Sequence, residues 1–398
     1  MFRKNRARKT GYRREYAKGK GGSPDFVLLG LLAFLTLFGW VMVYSSSVIV
    51  AFSQGRPSWY YFFRQLIWII IGVFSAYILY KIDYRQLVKI SPALIGLAII
   101  MLISVLVVGS EINGASRWIS FGFFDLQPSE FTKLAFIIYL AGWLSIKNKA
   151  IHSKNAIKNY FVVEMLPFLI ILSIVLVLIL IEPDLGTTAI IGFTALGMYY
   201  LAGEGYIHNL GFSALLIVSI ATGILAAVLE SYRLSRVKTF LEVVKTGNPP
   251  DRLGSGYQLS QILTAVGSGG ILGVGFGQSK QKFNYLGETA FSDTIFAVIA
   301  EEFGLLGAAV IISCFLYFAI RGIRIAQKAP DKLSGLLAAG ITIWITSQAF
   351  LNIAANIGLI PLTGITLPFL SYGGSSIIVS LSGIGILLNI SKYVKLER

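Results

Sequence analysis

Runs of about twenty apolar residues recur along this chain, and each is as long as a helix must be to cross a bilayer. Ten such runs can be marked, at about 26–50, 62–82, 88–109, 130–146, 162–182, 185–203, 208–229, 293–321, 334–357 and 374–391. Charged residues make up only 13% of the 398, about half the share of a soluble domain. Backbone facing lipid must satisfy its hydrogen bonds inside a helix or a closed barrel. The expected fold class is therefore an all-α polytopic membrane protein of about ten transmembrane helices. No repeat of 20–50 residues, no low-complexity segment and no pair of inverted halves is visible in the sequence.

Charge sets the expected orientation. Residues 1–20 carry nine Lys and Arg against one acid, Glu15, which gives +8 of the chain's +15. Such a tail fits nucleic acid or an anionic membrane surface. With no recognition fold beside it, a basic cytoplasmic tail over 1–24 is the better reading. Ten spans then place both termini inside, with a transmembrane domain over 25–392 and a cytoplasmic C-terminus at 393–398. The connections 83–87, 147–161, 204–207 and 322–333 fall on the same side, and all but 204–207 carry Lys or Arg, as the positive-inside rule requires. In that orientation any active site opens on the outer, extracytoplasmic face of the membrane. His152 and His208 sit in the cytoplasmic connections. Without a histidine outside, Ser–His–Asp catalysis and a histidine-bound metal are excluded there. Cys314 is the single cysteine and forms no intrachain disulfide.

The outward connections hold most of the Gly, Pro and isolated polar residues. They are 51–61, 110–129, 183–184, the long loop 230–292 between the seventh and eighth spans, and 358–373. Long connections in compact folds usually carry function. Asp293, at the start of the eighth span, has two readings of equal weight. It is a helix N-cap, with Ser292 as the other candidate, or a carboxylate placed to accept a proton. Glu301 and Glu302 follow inside the span, where ionisable groups are functional or paired.

The segment 114–135 joins Arg117 and Trp118 to Gln127, Ser129, Glu130 and Lys133. Pro128 marks a helix start with Ser129 as its expected cap. Glu130 and Lys133 share a helix face. They form a local ion pair, or else Lys133 and Arg117 grip an anionic head group. Arg233, Arg236 and Lys238 add positive charge to the long loop, as an anion site or the face of a solvated loop helix. The run GSGGILGVGFG lacks the spacing of a phosphate-binding loop, so close packing or re-entrant turns account for its glycines.

Six ordered blocks then carry a resemblance. GASRW with QPSEFTKLA, EPDLGT, YRLSR, GYQLSQ with VGSGGILGVGFGQS, SDTIFAVIAEEFG, and PLTGITLPFLSYGGSS together resemble the SEDS family (shape, elongation, division and sporulation), the family of FtsW and RodA. The likeness spans everything but the tail, and the tail leans toward an FtsW-like division member.

The resemblance implies a peptidoglycan glycosyltransferase that polymerises lipid II into glycan strands at the outer face of a bacterial cytoplasmic (inner) membrane. It implies a class B penicillin-binding protein and other divisome or elongasome membrane proteins as partners, and no nucleic acid. The family's essential aspartate, in a pattern like LPExHTDFIFA, matches Asp293, and its PSExxK pair matches Glu130 and Lys133. Here Gly287 stands for the family's proline, the histidine is missing, and the stretch from Leu286 to Asp293 is one residue longer.

Asp293 is thus the expected catalytic residue. The expected substrate-binding set is Arg117, Trp118, Gln127, Ser129, Glu130, Lys133, Asp184, Arg233, Arg236, Gln258, Glu288, Ser371 and Tyr372. No metal ligands and no resident cofactor are assigned, though a divalent Mg or Mn ion is compatible with the chemistry. The competing readings are a lipid II flippase with Glu164, Glu301 and Glu302 lining a polar path, and a non-catalytic divisome scaffold.

Overall fold

The structure is a computed structural model. It describes residues 22–112, 115–122, 124–146, 165–203, 206–229, 231–246, 256–283 and 285–394. The basic tail up to residue 21, Glu164, His152 and residues 395–398 lie outside them.

Every one of the ten apolar runs is a helix. These are α1 (Phe26–Ser53), α2 (Tyr60–Lys81), α3 (Tyr84–Val108), α4 (Pro128–Ser145), α5 (Leu166–Ile181), α6 (Leu185–Ala202), α7 (Tyr206–Leu229), α10 (Ile295–Gln327), α11 (Lys332–Asn356) and α12 (Gly374–Ser391). Among the described residues, seven are long and apolar enough to cross a membrane, and α5 and part of α7 are shorter apolar helices. The remaining one, α4, carries Glu130 and Lys133 in its first turns.

The long loop does not remain a loop. It contains α8 (Ser231–Thr246), α9 (Tyr257–Ser268) and a 3-10 turn over Gly287–Phe291. Within this helical architecture the connection after α3 holds a little strand structure. Residues 110–126 form a small antiparallel sheet in the order β1 (Ser110–Ile112), β2 (Ala115–Ser120), β3 (Asp125–Leu126). His208, expected in a connection, lies on α7, buried with its Nε2 against the Tyr199 carbonyl at 3.0 Å.

The centre of the bundle is α11 and α12, whose side chains are buried along most of their lengths. Helix α2 runs along α12, α10 packs on α11, and α4 and α6 close the other flank of α11. The outer helices α1, α2, α3 and α7 turn many large apolar side chains outward, as lipid-facing helices do. On the side expected to be cytoplasmic, Asp25 caps α1 and holds Arg321 of α10 at 2.6 Å. Asp331 closes a capping box with Ser334 on α11 and accepts from Tyr84 at 2.8 Å and Arg85 at 2.9 Å.

Helix α10 is broken at Gly304, whose φ of 65° and ψ of −164° are open only to glycine. The break strands backbone groups that water would satisfy elsewhere but that lipid cannot. The glycine-rich run takes them over. Val274 and Gly275 donate to the Glu301 and Glu302 carbonyls at 3.0 Å each, while Leu305 and Leu306 donate to Gly270 and Ile271 at 2.9 and 3.2 Å. A Cβ at Gly273 would collide with the Glu302 carbonyl, so the run's small residues serve close backbone approach.

The Glu301 carboxylate then accepts from Ser279 Oγ (2.5 Å) and the Lys280 and Gln281 amides (2.9 and 3.3 Å). Glu302 pairs with buried Lys282 at 2.6 Å, and both meet Ser45 of α1. These two carboxylates stitch the loop to the helix.

Gly304→Ala should cost at least about 1–3 kcal/mol, read as a lower thermal midpoint of the detergent-solubilised protein. An unchanged midpoint would mean that the backbone exchange at the break is not present.

Candidate functional site

The 3-10 turn Gly287–Phe291 delivers Ser292 and Asp293 just ahead of α10. Neither caps the helix. Thr294 occupies the cap position with no side-chain bond, and α10 begins at Ile295. The capping reading of Asp293 therefore fails, and its carboxylate is left to do something else. Oδ1 accepts from the Ser292 hydroxyl at 3.1 Å. Burial pushes the Asp293 carboxyl up from the usual Asp range, while the Ser292 hydroxyl and the Arg236 guanidinium pull it the other way.

The backbone around Asp293 is pinned from two sides. From the 358–373 segment, Ser371 Oγ donates to the Ser292 carbonyl at 2.5 Å and the Tyr372 amide to the Phe291 carbonyl at 2.8 Å. Tyr372 also packs its ring at 5.3 Å from both Phe291 and Tyr61. Gln65 of α2 donates to the Ser371 carbonyl at 3.2 Å. From α11, Asn352 and Asn356 both donate to the Asp293 carbonyl, at 2.7 and 2.9 Å. Arg236, on α8, donates to the Leu362 carbonyl at 2.8 Å, which ties the long loop to the same segment. Arg233 lies on the same helix, with its side chain outside the described residues.

Glu288 is exposed and accepts from Gln54 at 2.7 Å, and Gln54 accepts in turn from the Tyr61 hydroxyl at 2.6 Å. Gln258 sits half-buried on α9, which packs on α10 and α11.

A second cluster gathers the other expected residues. Pro128 occupies the first turn of α4 and Gln127 the cap position. Ser129 is buried and its hydroxyl makes no hydrogen bond, so the expected Ser129 cap is corrected: proline at the first helical position puts the cap two residues earlier, at Gln127. Gln127 bonds Ser375 through its amide at 3.1 Å and approaches Asp184 at 3.5 Å. Asp184 caps α6 through the Thr187 amide at 2.9 Å. Arg117 donates to the Glu182 carbonyl at 3.0 Å and to the Pro183 carbonyl. Trp118 is half-buried beside it on β2.

Lys133 is 2% exposed and spends its ammonium inside the protein, on Glu130 at 2.7 Å and Gln348 at 2.9 Å. Of the two sequence readings, this geometry is the local ion pair. Glu182, between the two helices, is buried with both carboxylate oxygens unpaired. Burial and the neighbouring Asp184 push it up to about 8 against the pull of Arg117.

Sequence reasoning missed Gln348, Asn352 and Asn356. Their spacing of four residues on one span was the available signal: three amides on one helix face inside an apolar run require polar partners. It also missed Gln54, Tyr61 and Gln65, which hold the Glu288–Asp293 turn from α1 and α2.

The family model for FtsW, RodA and SpoVE, described as cell cycle protein, matches residues 26–396. The chain is 41% identical over 378 residues to the stage V sporulation protein E of Bacillus subtilis, covering 94% of this chain and 98% of that protein. It is 40% identical over 375 residues to the "Probable peptidoglycan glycosyltransferase FtsW" of Trichlorobacter lovleyi, with 94% of each covered. Among solved structures, a chain of a peptidoglycan synthase complex that coordinates polymerisation and crosslinking matches with a TM-score of 0.71 and 26% identity, over 92% of this chain and 97% of that one. The Thermus thermophilus rod shape determining protein RodA shares the fold with a TM-score of 0.67 at 24% identity, over 94% and 98%.

Replacing Lys133 by Met alone should strand the buried Glu130 carboxylate and cost about 3–5 kcal/mol. Adding Glu130→Gln in the same chain should recover most of that loss in a thermal melt. Equal melting of the single and double variants would contradict the pairing.

Proposed function

The chain belongs to the FtsW/RodA/SpoVE family, and from that membership and the seat of Asp293 we propose that it is a peptidoglycan glycosyltransferase that polymerises lipid II, with Asp293 as its general base. It is a multi-pass membrane protein. We place it in the cytoplasmic membrane with both termini inside and the Asp293 end outside, which the Lys- and Arg-bearing connections support. A class B penicillin-binding protein fits as its partner, in keeping with the synthase complex that it resembles.

The observation that carries this reading is a half-buried carboxylate at the mouth of α10 that caps nothing, near the charge of an arginine and on a backbone held by two other segments. The Asp293 carboxylate takes the proton from the acceptor sugar's 4-hydroxyl. That oxygen forms the new bond to the donor's anomeric carbon. The bond from this carbon to undecaprenyl pyrophosphate breaks with its electron pair on the pyrophosphate, and the anomeric centre inverts. A positioned base contributes about 10²–10⁴-fold. Holding the two sugars in line and meeting the charge of the leaving pyrophosphate supply the rest. Arg236, whose charge acts on Asp293 while one of its nitrogens holds the Leu362 carbonyl, is the cation we assign to that charge. Arg117 and Lys133 already serve protein acceptors, and act on substrate through the architecture they hold.

A flippase would use the intramembrane acids as a polar path. Glu301 and Glu302 are instead consumed in binding the 279–282 segment.

Purified protein with a class B penicillin-binding protein should convert labelled lipid II into glycan polymer. Transfer of lipid II across liposomes without polymer would overturn the reading in favour of transport. The rate should climb with pH along an acid limb above the ordinary Asp value of about 4, because only the deprotonated carboxylate accepts the proton and burial raises its titration. An acid limb at or below that value would contradict the assignment.

A further inference from the structure

Among the described residues, two asparagines of α11 point at one backbone atom. Asn352 and Asn356 lie one turn apart, 2% and 1% exposed, and each donates its side-chain amide to the Asp293 carbonyl, at 2.7 and 2.9 Å. That carbonyl is not needed by α10, whose first amides bond to the Thr294 carbonyl instead. Both of its acceptor directions are therefore taken by buried side chains from a neighbouring helix.

Burying asparagine in a membrane-spanning helix is costly, and here part of that cost is left uncompensated, since Asn356 Oδ1 accepts no hydrogen bond. The residue is used for its donor. Asn352 extends the same hold to the Ile365 carbonyl at 2.8 Å, next to Gly364, which lies beside Asp293 Oδ2. One turn back, Gln348 donates to the Thr366 carbonyl at 3.0 Å and accepts from Lys133 and from the Trp344 indole at 2.9 Å each. One face of α11 therefore holds Lys133, the 365–366 backbone and Asp293 in a single rigid row.

We propose that Asn352 and Asn356 are positioning residues for the glycosyl transfer: their paired amides fix the Asp293 carbonyl, and through it the place where the catalytic carboxylate meets the acceptor hydroxyl. This rests on the general-base reading of Asp293 and adds a device that sets its geometry. Because the clamp acts through the backbone of the base and touches no sugar, it should govern turnover and leave substrate affinity almost alone.

The test uses the full chain with its penicillin-binding partner, measuring kcat and KM for lipid II polymerisation beside thermal midpoints. The variants are Asn352→Ala, Asn356→Ala, their double, and Asn356→Leu, which keeps the shape and loses the donor. Each single variant also removes one further bond, from Asn352 to the Ile365 carbonyl at 2.8 Å or from Asn356 to the Asn352 carbonyl at 2.9 Å. The expected result is a fall in kcat of about 10–100-fold for each single variant, with KM changed by less than about threefold and Asn356→Leu matching Asn356→Ala. The double should lose less than the product of the singles, because both act on one carbonyl. Active wild type with single variants that keep kcat would overturn the clamp alone, as would a loss that tracks the thermal midpoint. Wild type that makes no polymer with its partner would overturn the glycosyltransferase reading and the clamp with it.

Discussion

A bilayer interior has no water for a stranded amide or carbonyl, and that constraint shapes the functional end of this protein. Breaking α10 at Gly304 would leave four backbone groups unsatisfied. The glycine-rich run settles all four, and the side chains of Glu301 and Glu302 then bind the following turn through Ser279, Lys280, Gln281 and Lys282. The segment leading into Asp293 is thereby fixed to the helix that begins two residues after it, at Ile295. Irregular backbone at this depth is allowed because it is bound to protein throughout.

The site is assembled from pieces far apart in the chain. Asp293 comes from the stretch between the 3-10 turn and α10, its clamps from α11, its lateral support from the 361–373 segment and α2, and its nearby positive charge from α8. The 361–373 segment is common to all of them. It meets Asn352 at Ile365, Gln348 at Thr366, Arg236 at Leu362 and the Ser292 carbonyl at Ser371. A base whose efficiency depends on sub-ångström placement gains from being held by several rigid helices at once.

Much of this was legible in the sequence. Ten apolar runs became ten helices because lipid imposes one solution on each. Asp293 stood out because a carboxylate at the head of an apolar run needs a reason to be there. Its capping alternative could be separated from catalysis only with coordinates, since the two readings differ by where Thr294 falls. The Glu130–Lys133 pair was readable from a three-residue spacing. The Lys282–Glu302–Ser45 contact was not, because no local pattern relates α1 to α10. Helix α8 was legible as one of two readings, a loop helix carrying Arg233, Arg236 and Lys238, and YRLSRVKTFLEVVK forms that helix. The asparagines of α11 were overlooked because a lone amide inside an apolar run is absorbed into the span; only their shared face, four residues apart, exposes them.

The central claim is that the Asp293 carboxylate takes the proton in glycan polymerisation. Its most direct test is the rate of lipid II polymerisation by the Asp293→Asn variant with its penicillin-binding partner, beside wild type and with matched thermal midpoints. Asparagine keeps the size, the backbone and the α11 clamp, and removes only the basic oxygen. The account predicts a loss of at least about 10²-fold in rate at unchanged stability. Polymerisation near the wild-type rate would contradict it.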